Sequence, residues 1–241
     1  MHRLDSLRNA LRQELIGRQL GEHVPAGATV LDVGCGQGTQ ALRLMDRGSA
    51  VVGVDVSSDL LDRFGRQAER SGHQPELLHG SIERLDQLLG DRTFQVVCAH
   101  GLLMYLPDMP AALAALAARV EPEGLLSITF RNGHTLAMRP GLRRDWKGAL
   151  AAFDSSAYVN ELGLSARAHR LDDVTLALRV TGLDVIRWYG VRVFNDAVPG
   201  DMPVPDDEDW DALVAAEDRA GRQDPYRWTG SQLHVIATPM S

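Results

Sequence analysis

The residues best placed to do chemistry are Val30-Leu31-Asp32-Val33-Gly34-Cys35-Gly36-Gln37-Gly38, followed by Val51-Val52-Gly53-Val54-Asp55. One apolar run ends in an acid and three glycines at alternate positions, and a second ends in another acid. The order predicts strand, glycine-rich turn, helix, strand and acid, a single βαβ unit with a nucleoside site at its open end. Glycines at such a turn let the backbone approach a ligand closely and adopt positive φ. Asp55 stands where a carboxylate can accept both hydroxyls of a ribose. Dinucleotide sites show G-x-G-x-x-G and seat a pyrophosphate on the helix N-terminus. Here the spacing is G-x-G-x-G with Asp32 ahead of it, and an acid beside the loop repels phosphate but suits an ammonium group. The alternatives are a chance glycine-rich turn and an NAD site.

The elements that must hold these residues follow along the chain. Leu4, Leu7, Leu11, Leu15 and Leu20 recur at helical spacing, which predicts an amphipathic helix over 4–20 capping the cofactor end. Strands are expected at 29–33, 50–54, 77–79, 94–99 and 125–130, the fourth buried on both faces with Gln95 its one polar residue. Helices are expected at 39–47, from Asp55-Val56-Ser57-Ser58 onward, at 111–120 and at 171–182, with a turn at Glu121-Pro122-Glu123-Gly124. Two final strands, 183–194 and 232–238, are separated by a polar, proline-rich segment, which predicts an antiparallel end to the sheet. The Pro/Asp stretch 198–209 reads as a surface loop. The 241 residues suit one α/β domain with a lid or insertion at about 131–170.

Composition narrows the function. Hydrophobic residues make up 44% of the chain and charged residues 24%, as in soluble proteins. No apolar run is long enough to span a bilayer and no signal peptide is visible, so a cytoplasmic protein without a membrane partner is expected. Cys35 and Cys98 lack metal-site spacing and read as reduced thiols; no metal is expected. The net charge of −7 argues against a dominant non-specific nucleic-acid binder. The charge is uneven, however. Residues 131–170 hold seven Arg and Lys against three acids, and 201–224 hold nine acids against two Arg. A local basic face on an acidic body follows.

The glycine-loop pattern resembles motif I of the class I S-adenosylmethionine-dependent methyltransferases. That resemblance implies an α/β, Rossmann-like fold: a mostly parallel seven-stranded sheet with an antiparallel last strand and helices on both faces. Further stretches are similar to the tRNA 5-carboxymethoxyuridine methyltransferase family: Ser6-Leu7-Arg8, His100, Arg131-Asn132-Gly133-His134, Gly190-Val191-Arg192-Val193-Phe194-Asn195-Asp196, Arg222-Gln223-Asp224-Pro225-Tyr226 and Leu233-His234-Val235-Ile236-Ala237. The similarity runs from about residue 6 to residue 238. Those enzymes methylate the carboxylate of a modified wobble uridine. The resemblance implies S-adenosylmethionine as cofactor and S-adenosylhomocysteine as product. It also implies cofactor contacts at Arg8, Asp32, Gly34, Cys35, Gly36, Gly38, Asp55, Val56, Ser81, Ile82 and His100, with Arg8 pairing with the methionine carboxylate.

The acceptor decides which side chains are needed. A carboxylate is already anionic and requires only orientation, for which Arg192, Tyr226 and His234 are candidates, with Asn132 and His134 at the rim. A hydroxyl acceptor would use a base, His100 or His134. Arg139, Arg143, Arg144 and Lys147 are either the polar side of a lid helix or a phosphate track for RNA, with Trp146 available to stack on a base. Three readings stay open: a tRNA methyltransferase, a methyltransferase of a small-molecule carboxylate or hydroxyl, and a non-catalytic cofactor-binding module. Either a monomer or a homodimer fits.

Overall fold

Apolar runs closed by glycine or acid become the strands of one sheet. The structure is a computed structural model that describes residues 6–160, 163–199 and 202–240. In chain order its elements begin with α1 (Leu7–Gly21), β1 (Thr29–Val33), α2 (Thr39–Met45), β2 (Ala50–Asp55), α3 (Ser58–Arg70), β3 (Glu76–His79) and α4 (Leu85–Leu89). Next come β4 (Phe94–His100), α5 (Met109–Ala117), β5 (Val120–Arg131), α6 (Met138–Leu142), α7 (Trp146–Phe153), β6 (Ala157–Val159) and β7 (Ser165–Arg167). The last are α8 (Leu171–Val180), β8 (Leu183–Val191), α9 (Asp207–Arg222) and β9 (Gln232–Pro239). The main sheet has the order β3-β2-β1-β4-β5-β9-β8, with β1 to β5 parallel and β9 and β8 antiparallel to each other. A hairpin of β6 and β7 stands apart from it.

Contacts divide the chain into two units: Met1–Gln19, Phe130–Leu171 and Trp188–His234 form one, and Leu20–Thr129, Asp172–Arg187 and Val235–Ser241 the other. The second unit carries the parallel strands. Val30, Leu31, Val96, Val97, Leu126 and Ile128 are fully buried there, as strands covered on both faces require. The chain runs outward from β1 to β3 and returns to β4, which puts the topological switch point between β1 and β4. The register pairs Asp32 with both Gly53 and Cys98, Asp55 with His79 and His100 with Thr129. The strand ends that carry the expected site residues are thereby brought level. Gln95, the polar exception in β4, is exposed and exchanges two hydrogen bonds with Thr29, one each way at 3.1 Å.

The first unit differs from expectation in several places. Leu11, Leu15 and Ile16 of α1 are buried with Val191 and Val214, and Trp210 and Leu213 pack against them. Leu4, the first residue of that apolar stripe, lies outside the described residues. The 198–209 stretch is not all loop, because residues 207–209 open helix α9. Asp206 caps it by accepting from Asp209 N at 3.2 Å, and Asp207, Glu208 and Asp209 fill its first turn. These acids complement the positive end of the helix dipole, whereas in sequence they read as loop polarity. In the second unit the expected turn at 121–124 instead lies within β5. A Cβ on Gly124 would sit 2.9 Å from Gln95 O, so the residue is a close-approach point where the β4–β5 register shifts.

Candidate active site

In the second unit, the loop after β1 is drawn onto β2 by Gly34 N and Cys35 N, which both donate to Val54 O at 2.7 and 3.2 Å. Gly36 N donates to one carboxylate oxygen of Asp55 at 2.8 Å, and Ser57 N to the other at 2.9 Å. Asp55 is therefore fixed in orientation, and each oxygen keeps a further lone pair for a hydroxyl. Two glycines are required here for different reasons. Gly38, at φ +79°, would drive a Cβ to 2.2 Å from the ring of Phe64, while Gly36, at φ +56°, faces open space on its Cβ side. The backbone of Gly36 is thus bare toward a ligand. Asp32 is 5% exposed, and burial together with the neighbouring Asp55 charge pushes its carboxyl up to about 7. Among the described residues neither acid forms an ion pair with a protein cation, so a cationic ligand is the partner they lack.

Other expected residues sit at the ends of β2 to β4. Val56 is 67% exposed just beyond Asp55, and Ile82 is buried. Ser81 hydrogen-bonds Glu83, which holds that carboxyl below its ordinary range. His100 Nε2 lies 2.9 Å from Ser127 Oγ. Burial and the two acids raise the Cys35 thiol, and burial raises Cys98, which disfavours the thiolate at both.

The first unit gathers guanidinium groups on one carboxylate. Asp196 accepts from Arg131 Nη1 at 3.1 and 3.2 Å, from Arg139 Nε at 2.9 Å and Nη2 at 2.6 Å, and pairs with Arg192 Nη2 at 3.2 Å. Arg8 Nη1 donates to its main-chain carbonyl at 3.3 Å. The three cations hold the Asp196 carboxyl far below its ordinary value despite burial. Burial brings Arg192 down to about 10, and Asp196 opposes that shift.

A family model described as a methyltransferase domain matches residues 30–124, the stretch that holds the glycine loop and Asp55. The tRNA 5-carboxymethoxyuridine methyltransferase of Escherichia coli K12 is 29% identical over 234 residues, covering 96% of this chain and 87% of that protein. The chain is an S-adenosylmethionine-dependent methyltransferase with the class I fold. A ubiquinone biosynthesis O-methyltransferase of Aromatoleum aromaticum is 33% identical over 155 residues, covering 64% of this chain and 59% of that one. Among solved structures, a putative S-adenosylmethionine-dependent methyltransferase from Listeria monocytogenes shares the fold at TM-score 0.64 and 20% identity, covering 96% of this chain and all of that one. Magnesium protoporphyrin IX methyltransferase from Synechocystis with bound S-adenosylhomocysteine does so at TM-score 0.62 and 16% identity, covering 97% of this chain and 85% of that one.

The donor set of the methyltransferase fits its cofactor. Two buried acids without protein cations suit a ligand bearing an ammonium and a ribose diol, and the bare Gly36 backbone leaves room for it. The acceptor candidates are placed differently from their sequence reading. Arg192, expected within the strand 183–194, lies past its end: β8 stops at Val191, and Arg192 is buried at φ 57°. His234 is wholly buried, with Nδ1 2.8 Å from Gln19 Oε1 and its ring beside Tyr189, an interior position. Asn132 acts as a clasp, donating to Trp228 O at 3.0 Å and Gly230 O at 2.9 Å while accepting from His134 N at 3.0 Å. His134 is exposed. Tyr226 is half exposed and meets Phe194 edge to face with centroids 6.4 Å apart. Arg139 joins Asp196, Arg143 donates to Ala197 O and Val198 O at 3.2 and 3.1 Å, and Arg144 is exposed.

Sequence reasoning missed Glu217. It is fully buried in the methyltransferase and accepts from the main-chain amides of Val193, Phe194 and Asn195 at 2.7 to 3.0 Å, and from the Asn195 side chain at 2.8 Å. It thereby shapes the turn that presents Arg192 and Asp196. A signal existed: Trp210, Leu213, Val214 and Glu217 follow helical spacing, so an acid falls on the apolar stripe.

Proposed function

We propose that this methyltransferase esterifies the carboxylate of a carboxymethoxy-modified wobble uridine in tRNA, in the cytoplasm. The observation that carries the reading is similarity to the Escherichia coli tRNA enzyme along nearly the whole chain, 96% of it. S-adenosylmethionine, when bound, supplies an electrophilic methyl on a sulfonium that is a good leaving group. The chain's own task is then positioning and exclusion of water. Asp55 and the Gly34–Gly38 loop hold the nucleoside end, and Asp32 takes the ammonium. A carboxylate acceptor needs no general base. It needs cationic donors in a fixed fork, which the guanidinium groups around Asp196 offer. His100, engaged by Ser127, then orients rather than abstracts a proton. The exposed Arg143, Arg144, Trp146 and Lys147 suit an RNA backbone and a stacked base.

The test is methyl transfer from labelled S-adenosylmethionine to bulk tRNA from a strain lacking the gene, followed by nucleoside mass spectrometry. A new methyl ester on a wobble uridine is expected. Transfer to a metabolite extract, with none to tRNA, would replace this reading with a small-molecule carboxylate acceptor, which the net charge of −7 favours.

A further inference from the structure

Between β5 and α8 the first unit holds an open cavity of about 400 Å³. One wall is made of very small residues, Gly148, Ala151 and Ala152 of α7, continued by Ser155 and Ala157. The other presents Arg131, Arg139 and Tyr158. A helix that turns glycine and alanine toward a cavity leaves space where larger side chains would fill it.

Arg131 supplies the polar observation. It is 5% exposed, and its Nε is buried without a hydrogen-bond partner. Its Nη1 is spent on Asp196, and its guanidinium lies 5.8 Å from the centre of the Tyr158 ring. A buried N–H left without an acceptor is unusual in a folded protein and marks a place for one. Charge points the same way. Arg131, Arg139 and Arg192 converge on a single carboxylate, and the charges of Arg139, Arg131 and Arg12 all weigh against protonated Arg192. A second anion would relieve that repulsion.

We propose that this cavity is a pocket for an organic carboxylate carried on a flat ring. The carboxylate is received by Arg131 and Arg139, and the ring lies between Tyr158 and the Ala151–Ala152 wall. Guanidinium forks match carboxylates in plane, and the Asp196 carboxylate already meets Arg139 through both Nε and Nη2. A tyrosine face accepts a planar ring, and alanines allow it to lie flat. The choice of ring rests on the function proposed above. Ala151 and Ala152 become specificity-determining residues.

The experiment uses the full chain saturated with S-adenosylhomocysteine. Calorimetry measures binding of 5-carboxymethoxyuridine, its methyl ester and uridine to the wild type, Ala152→Leu and Arg131→Lys. The wild type is expected to favour the carboxylate over both neutral ligands by about tenfold or more. Ala152→Leu, which fills the cavity, should weaken the carboxylate by a similar factor while S-adenosylhomocysteine affinity stays within about twofold. Arg131→Lys, which keeps the charge and loses the fork, should lose the preference. Equal affinity for all three ligands, or unchanged carboxylate binding in Ala152→Leu, overturns the pocket. If tRNA is not methylated but the carboxylate preference and its loss in Ala152→Leu hold, the tRNA reading falls and the pocket stands. If Ala152→Leu methylates tRNA at the wild-type rate with carboxylate binding unchanged, the pocket falls and the tRNA reading stands.

Discussion

Asp32 and Asp55 end neighbouring strands, yet their surroundings divide their tasks. Asp55 is oriented by two backbone amides, while Asp32 is buried and its carboxyl is raised to about 7. An unfolded Asp titrates near 4, so between about pH 4 and pH 7 the native state holds a proton that the unfolded chain has released. Stability from this group therefore falls as pH rises through that window and is level above it. Asp32→Asn removes the effect. Its gain in unfolding free energy over the wild type should grow by about 2 kcal/mol between pH 5 and pH 8. Urea denaturation at the two values checks this, and an equal gain at both would show that Asp32 is ionised throughout. The same variant should bind S-adenosylhomocysteine more weakly, because the ammonium loses its anion.

Among the elements, the glycine loop and its strands were legible because local chemistry determines them: apolar runs buried on both faces, then glycines at positive φ. Helix α9 was not. Its first turn is acidic and follows prolines, which reads as loop until the dipole is considered. Arg192 was read as strand because it alternates with valines, but what places it is the turn tied down by Glu217, 24 residues after Val193. No local pattern reports a partner at that distance. The β6–β7 hairpin, with three residues per strand, is too short for periodicity to show. Glu217→Ala leaves three main-chain amides, the buried one of Asn195 among them, without their acceptor and should destabilise the protein by about 3 kcal/mol, with Glu217→Gln losing less. Chemical denaturation measures it, and a loss under about 0.5 kcal/mol would mean that water replaces the carboxylate.

At the scale of the whole molecule, a net charge of −7 coexists with a basic segment at 131–170. If Arg143 and Arg144 contact phosphates, replacing both with alanine should weaken tRNA binding and lower the slope of log affinity against log salt by about two, leaving cofactor affinity unaltered. An unchanged slope would leave them as surface solvation. The first unit is assembled from three separated stretches of chain, whereas the β1–β5 ladders all lie within residues 29–131. Synthesis is vectorial, and Arg131, Arg139 and Arg192 are all made before the acid that receives them, Asp196. A product cut short ahead of Asp196 would carry its cations uncompensated. Such a fragment, without the acidic C-terminal stretch, should bind RNA more readily than the full chain, and premature termination in this gene is expected to leave sticky, proteolysis-prone debris instead of an inert remnant.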